Sequence, residues 1–209
     1  MSGKYLSKKR ATLVVVVYTM MAASVALFLT LNLSVFLIHY PHWNIGVGAA
    51  RSDYLRLLWY LQEPVNHQLL LHHIPLSEVG YRHFKDVRLI MLLNEAVMIV
   101  SSSFVFVFLR EICRGKMAWQ LLKPLETIMT MLVIIFTMVF VNFPMLFVRF
   151  HYLIFANRDW VFKVKSDPII LMLPLSFFIH TFLLWGGLFL TLLFVLWGGI
   201  HVSFRFFKL

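Results

Sequence analysis

The run TLVVVVYTMMAASVALFLTLNLSVFLI, Thr12 to Ile38, holds no charged residue across its 27 positions. A helix rising about 1.5 Å per residue needs roughly 20 residues to cross about 30 Å of hydrocarbon, so this run is long enough to span a bilayer. It is longer than the roughly 7 to 15 residues of a signal-peptide core and ends in no small-residue cleavage pattern. It is therefore expected to persist as an anchor.

Working outward, three further apolar runs follow. Leu89 to Leu109 contains Asn94 and Glu95, Thr127 to Val148 carries Asn142 and Pro144, and the last begins at Leu175 and continues to about Phe204. Pro174 lacks an N–H and suits the entrance of a helix better than its middle, which sets the start of the fourth run. Over 209 residues, 61% are hydrophobic, only 13% are charged and the mean hydropathy is +0.83. Those values exclude a soluble globular domain. The expectation is an all-α integral membrane protein built as a single domain over residues 1–209. Four transmembrane helices cover about 12–38, 89–109, 127–148 and 175–204, and an extracellular cap of short interfacial helices covers about 39–88 and 149–174.

The formal net charge of +10 would suggest a nucleic-acid partner in a soluble chain, but in a membrane protein basic residues mark the cytoplasmic side. Lys4, Lys8, Lys9, Arg10, Arg110, Arg114, Lys116, Lys123, Arg205 and Lys208 crowd three short segments, while the other nine spread over two longer ones. Both termini are thus expected in the cytoplasm and the long segments outside. The outer segments are rich in Trp43, Tyr54, Trp59 and Tyr60, rings that favour the membrane interface. The single cysteine, Cys113, forms no internal disulfide.

Of nine histidines, seven fall in or at the edge of the outer segments: His39, His42, His67, His72, His73, His83 and His151. Imidazole titrates near neutral pH and is the side chain best suited to take and return a proton there. Two of them have company. His83 and Asp86, three apart just before the second run, would share a helix face, so that the carboxylate orients the ring. His151, just after the third run, stands beside Asn157, Arg158, Asp159 and Trp160. Tyr81 and Arg88 flank the first cluster. The bland alternative is that both clusters are ordinary interfacial polar residues at helix ends.

The remaining histidines make weaker cases. His39 with His42, and His67 with His72 and His73, have no His-Glu-x-x-His spacing or carboxylate-rich set to complete a metal site. His180 and His201 are expected to meet a carbonyl or the interface. Glu95 lies within an apolar run, where a charge is costly and is either functional or paired. Gly186-Gly187 and Gly198-Gly199 suggest close helix contacts. No nucleophilic-serine elbow, phosphate loop or dinucleotide fingerprint is present, so neither a nucleotide, a metal nor another cofactor is expected. What the residues support is acid–base chemistry on a membrane-bound substrate by two histidines. The alternative from another class is a small proton- or ion-coupled transporter or channel subunit using Glu95, with Asn94 and His180. A third is a non-enzymatic membrane partner that docks through its aromatic cap.

In these clusters the chain resembles the lipoprotein intramolecular transacylases. The resemblance is carried by Ser77-Glu78, His83-x-x-Asp86-Val87-Arg88, Phe150-His151-x-x-Ile154-Phe155-x-Asn157-x-Asp159-Trp160, Asp167, and Leu173-Pro174-x-x-Phe177-Phe178. Leu175 stands where the resemblance leads one to expect an acidic residue, so no carboxylate role is carried to that position. The resemblance implies transfer of the sn-2 acyl chain of a diacylglyceryl-modified N-terminal cysteine onto that cysteine's own amino group, giving a lyso-form lipoprotein. It implies His83 and His151 as catalytic residues, with Asp86, Arg88, Tyr81, Asn157, Arg158, Asp159 and Trp160 as supporting candidates. Among these, Asp86 is the expected orienter of His83, and Asn157 or Arg158 the expected oxyanion donor. The partners implied are a membrane-anchored lipoprotein and bilayer lipid, with no nucleic acid and a monomeric state. A hydrolytic variant that releases fatty acid to water stays within the same class. All of this requires the two imidazoles to converge.

Overall fold

The structure, a computed structural model, describes residues 6–40, 45–65, 68–114 and 117–206. Its helices are α1 (Lys8–Leu33), α2 (Val47–Gln62), α3 (Glu78–Arg114), α4 (Leu122–Val141), α5 (Phe143–Ile154) and α6 (Leu175–Phe206). Among the described residues, four helical stretches are long and apolar enough to cross a membrane: Lys8–Phe36, Glu78–Ile112, Ala118–Val141 and Leu175–Ser203.

The helix boundaries follow from local chemistry. Ser7 opens α1 by accepting the Arg10 amide on its hydroxyl at 3.3 Å. Helix α2 stops at Gln62, and Glu63 turns extended because the ring of Pro64 crowds the helical conformation of the residue before it. Helix α6 starts at Leu175 directly after Pro174, as expected, and the Phe177 amide donates to the Pro174 carbonyl at 2.9 Å.

Two boundaries differ from the sequence expectation. Helix α3 begins at Glu78 rather than Leu89, because Ser77 caps it through its hydroxyl, which accepts the Gly80 amide at 3.1 Å. The third apolar run, 127–148, is not one helix. It breaks at Asn142, whose backbone leaves the helical region, and restarts with Pro144 in the first turn of α5, the position where a missing N–H costs nothing. His151 consequently lies on a short separate helix and not in a tail behind a span.

Contacts divide the chain into two compact units. The first takes residues up to Leu27, Glu95–Met138 and those from Trp185 onward. On α1 the buried Ala11, Val15, Tyr18, Ala22 and Ala26 recur every three or four residues and form one seam. That seam belongs to a core with Leu121, Leu125 and Leu193, all fully buried. Two polar atoms reach across helices to carbonyls: the Tyr18 hydroxyl donates to Leu192 at 2.8 Å and the Trp185 indole to Ala23 at 3.1 Å. Of the glycine pairs, only Gly186 has a neighbour near the position of a side chain, Phe136 at 3.5 Å. Gly187, Gly198 and Gly199 face open space, so close helix approach accounts for one glycine of the four.

The second unit comprises Phe28–Asn94 and Val139–Leu184. Its core gathers Tyr54 and Leu57 from α2, Ile74, Phe84, and Ile169, Met172 and Phe177. Two buried carboxylates fasten it. Asp53, with no exposed surface, accepts the successive amides of His72, His73 and Ile74 at 2.9, 2.7 and 2.8 Å. Burial alone would raise its pKa, but those donors hold it below the ordinary value. Asp167 accepts both the amide and the hydroxyl of Ser77, at 2.8 and 2.9 Å, and the hydroxyl of Ser166. Its negative charge therefore sits at the N-terminus of α3, where a helix favours an anion. Gly80 lies under that carboxylate, and a Cβ there would stand 2.5 Å from it.

Candidate active site

Helix α3 carries His83 in its second turn, with the ring buried. The edges of Phe155 and Phe162 meet it at centroid distances of 4.9 and 5.4 Å. Helix α5 carries His151 in its last turn, against Phe147 at 4.2 Å and Trp160 at 4.9 Å. The two imidazoles lie 6.3 Å apart, centroid to centroid, at an interplanar angle of 33°. The requirement that they converge is met, inside an aromatic box.

Their hydrogen bonds distinguish the two rings. Nδ1 of His151 stands 2.7 Å from the carbonyl oxygen of Phe147, one turn back on the same helix. A carbonyl only accepts, so Nδ1 carries the proton and in the neutral ring Nε2 keeps the free lone pair. Burial pushes the pKa of His151 below its usual value, although the bond to Phe147 works in the opposite direction. Nδ1 of His83, by contrast, is buried without a hydrogen-bond partner among the described residues, and so is the indole N–H of Trp160.

The loop after α5 is tied down by a polar clasp. Asn157 donates its amide N–H to Asp86 at 3.0 Å, and its carbonyl accepts the backbone amide of Asp159 at 3.0 Å. Asp159 in turn receives the Arg82 guanidinium at 2.8 Å. Asp86 thus holds Asn157 rather than orienting His83, and among the described residues no carboxylate hydrogen-bonds or ion-pairs with either imidazole of the site. Exposed Arg158 makes no side-chain hydrogen bond among the described residues.

Tyr81 and Arg88 are not drawn into this box. Buried Arg88 donates to the carbonyls of Glu63 and Val65 just after α2, and its guanidinium lies 5.1 Å over the ring of Tyr60. Tyr81 packs on Tyr60 at 6.4 Å. Both therefore brace the end of α2. Glu95 belongs to the first unit. His72 and His73 serve Asp53 through their amides, His201 meets the Trp197 carbonyl at 3.0 Å, and His180 is exposed. No group of three or more potential metal ligands is present among the described residues. His42, His67, Trp43, Lys4, Lys116 and Lys208 lie outside them.

Phe147 and Phe162 carry no signal in the sequence, nor does Asp53, and Phe155 enters there only as part of a motif and not as a wall of the site. In a chain with 21 phenylalanines composition does not separate box-forming rings from lipid-facing ones. The Phe147 carbonyl would have been legible had His151 been placed on a helix, since the fourth residue back then presents its carbonyl.

A family model for the lipoprotein intramolecular transacylase Lit matches residues 9–178. No curated protein matches the chain. Among solved structures, the in meso structure of the membrane integral lipoprotein intramolecular transacylase Lit from Bacillus cereus aligns with a TM-score of 0.80 at 23% identity, over 95% of this chain and 96% of that one. The same protein with one histidine replaced by alanine aligns at 0.76 and 24% identity, over 95% and 96% of the two chains. With that histidine replaced by arginine it aligns at 0.73 and 23%, over 93% and 92%. At these identities the likeness speaks for the fold, a multi-pass membrane architecture.

Proposed function

The chain belongs to the lipoprotein intramolecular transacylase family, and on that premise we propose that His83 and His151 move the sn-2 acyl chain of a diacylglyceryl-modified N-terminal cysteine onto that cysteine's α-amino group. The observation that carries the reading is the pair of imidazoles 6.3 Å apart in the aromatic box, one of them with its tautomer set by a backbone carbonyl.

Exchanging an ester for an amide is downhill and calls for no external energy source. The obstacle is geometric. Attack closes a medium-sized ring through N, Cα, Cβ, S, two glycerol carbons, the ester oxygen and the carbonyl carbon, and a flexible chain rarely folds that way. Holding amine and ester in contact contributes several kcal/mol, up to roughly 7 to 11 in well-oriented systems. A box walled by Phe147, Phe155, Phe162 and Trp160, on a loop clasped by Asn157, supplies rigid surfaces for that purpose.

The second obstacle is the amine's proton, since an α-amino group with a pKa of about 7.7 to 8.0 is mostly charged at neutral pH. His151, kept neutral by burial, accepts that proton on Nε2. The freed amine attacks the carbonyl carbon, the C–N bond forms, and the sn-2 C–O bond breaks. His151 passes that first proton to water; the adduct nitrogen then gives up a second, which the histidine pair delivers to the departing glycerol oxygen, so the ammonium loses two N–H bonds, one O–H forms, one proton is released and both rings end as they began. General acid–base help of this kind contributes on the order of 10²- to 10⁴-fold. Asp86 acts through Asn157 by securing the loop. The count of basic residues supports both termini in the cytoplasm of a bacterial cell membrane with the site outside.

The test gives purified protein in proteoliposomes a synthetic diacyl lipopeptide and locates the acyl chains of the product by mass spectrometry. N-acylated lyso product from the wild type, and loss of conversion in His83→Ala and His151→Ala, is the expected result. Free fatty acid in place of the N-acyl product would change the reaction to hydrolysis, and undiminished conversion in both variants would remove the mechanism.

A further inference from the structure

A tetrahedral intermediate on the ester carbon carries its negative charge on the former carbonyl oxygen, and a buried oxyanion calls for a donor already in place. The polar residues around the box do not provide one from their clasp. The Asn157 amide is engaged on both sides, its N–H₂ by Asp86 and its oxygen by the Asp159 amide. The Arg82 guanidinium is committed to Asp159, and Arg158 is exposed. Nδ1–H of His151 is spent on Phe147.

One N–H beside His151 has no partner among the described residues. The Trp160 indole lies 4.9 Å from the His151 ring and 5.1 Å from Tyr152, with its N–H buried and no acceptor among the described residues. Three other indoles among the described residues are supplied: Trp59 donates to Glu63 at 2.6 Å, Trp185 to Ala23 at 3.1 Å and Trp197 to Glu126 at 3.0 Å. Native structures seldom leave such a donor idle, and one that stays idle at a functional site is explained by an acceptor that arrives with a ligand. The bonds among Asp86, Asn157, Asp159 and Arg82 hold both the backbone amide and the carboxylate of residue 159 and hence the entry to Trp160.

We propose that the Trp160 indole N–H is the donor to the ester carbonyl oxygen and, as the amine adds, to the oxyanion that develops on it. The proposal rests on the acyl-transfer reading and adds a catalytic residue to it. The indole donates a hydrogen bond without giving up its proton, so it changes neither the proton balance nor the histidine roles. Because the charge is larger in the intermediate than in the ester, the bond strengthens along the reaction and acts on turnover more than on binding.

The full-length enzyme is prepared with Trp160 replaced by 3-benzothienylalanine, an isostere with sulfur in place of the N–H, and separately as Trp160→Phe. Total sn-2 ester cleavage is followed with the diacyl lipopeptide, together with thermal unfolding. The isostere is expected to lower kcat on the order of 10²-fold while KM and the unfolding midpoint stay near wild type, and Trp160→Phe to lose at least as much turnover. Wild-type kcat in the isostere overturns the proposal, as does a loss confined to KM. A wild type that hydrolyses the lipid instead of transferring the chain would refute the transfer reading but leave this test intact, since both reactions pass through the same oxyanion.

Discussion

The two units use their polar residues in opposite ways. In the first, hydroxyls mostly fold back on their own helix: Thr19 donates to Val15, Ser103 to Ile99, Thr127 to Lys123, Thr137 to Val133 and Thr191 to Gly187, each four residues earlier. Such bonds spare the hydroxyl from meeting hydrocarbon unsatisfied but join nothing to anything else. In the second, carboxylates and an amide bridge segments far apart in the chain: Asp53 to 72–74, Asp86 to Asn157, Asp159 to Arg82 and Asp167 to Ser77. The first unit is joined across its helices by the aromatic donors Tyr18, Trp185 and Trp197, while in the second carboxylates fix the backbone, and it is the second that carries both histidines.

Four measurements put that contrast to the test. The largest effect is expected from Asp53→Ala, which leaves the buried amide of Ile74 without an acceptor, at about 1 to 3 kcal/mol, and frees the part-buried amides of His72 and His73. A loss of about 2 kcal/mol or more in unfolding free energy should follow, read from denaturant titration in detergent, and a near-neutral result would deny that the joints hold the unit. Next, Asn157→Ala should lower kcat by roughly tenfold, about 1.4 kcal/mol, with a much smaller shift of the unfolding midpoint than Asp53→Ala. A wild-type rate would mean the loop needs no clasp.

The pH response should arise from the second unit as well. His151 works as a base only while neutral, and its pKa lies below the ordinary 6.5. Turnover at saturating lipopeptide should therefore survive acidification through pH 6.5 and fall only below it; an acid limb at or above that value would contradict the buried, neutral ring. The smallest effect is expected in the first unit, where Thr137→Val removes a bond that returns to its own helix. A change within about 0.5 kcal/mol is the outcome that keeps the contrast, and a large one would end it.

Much of this could be read from the chain because membranes impose a coarse grammar of length and hydropathy. Runs of apolar residues located all four crossings, and Pro174 set the start of α6 to the residue. The break at Asn142 was missed because Pro144 sits in a sequence as apolar as any span, and hydropathy does not register a lost N–H. The histidine pair was legible from residue type and chain position together. Their surroundings were less so. Asp86 lies three residues from His83 and reads as its partner, yet it bonds a side chain 71 residues away, and nothing in local spacing discloses such a competitor. Tyr81 and Arg88 lie close to His83 in sequence, but on α3 they turn to the end of α2.

The joint between α3 and the chain ahead of α6 also bears on how this protein can vary. Gly80 has no side chain because the carboxylate of Asp167, doubly held by Ser77, occupies the place where a methyl group would go. Positions 80 and 167 therefore share one volume despite the distance along the chain that separates them. A lineage that acquires a side chain at the first must shorten the second, and one that drops the acid is free to fill the glycine. The two sites ought to drift as a pair or not at all.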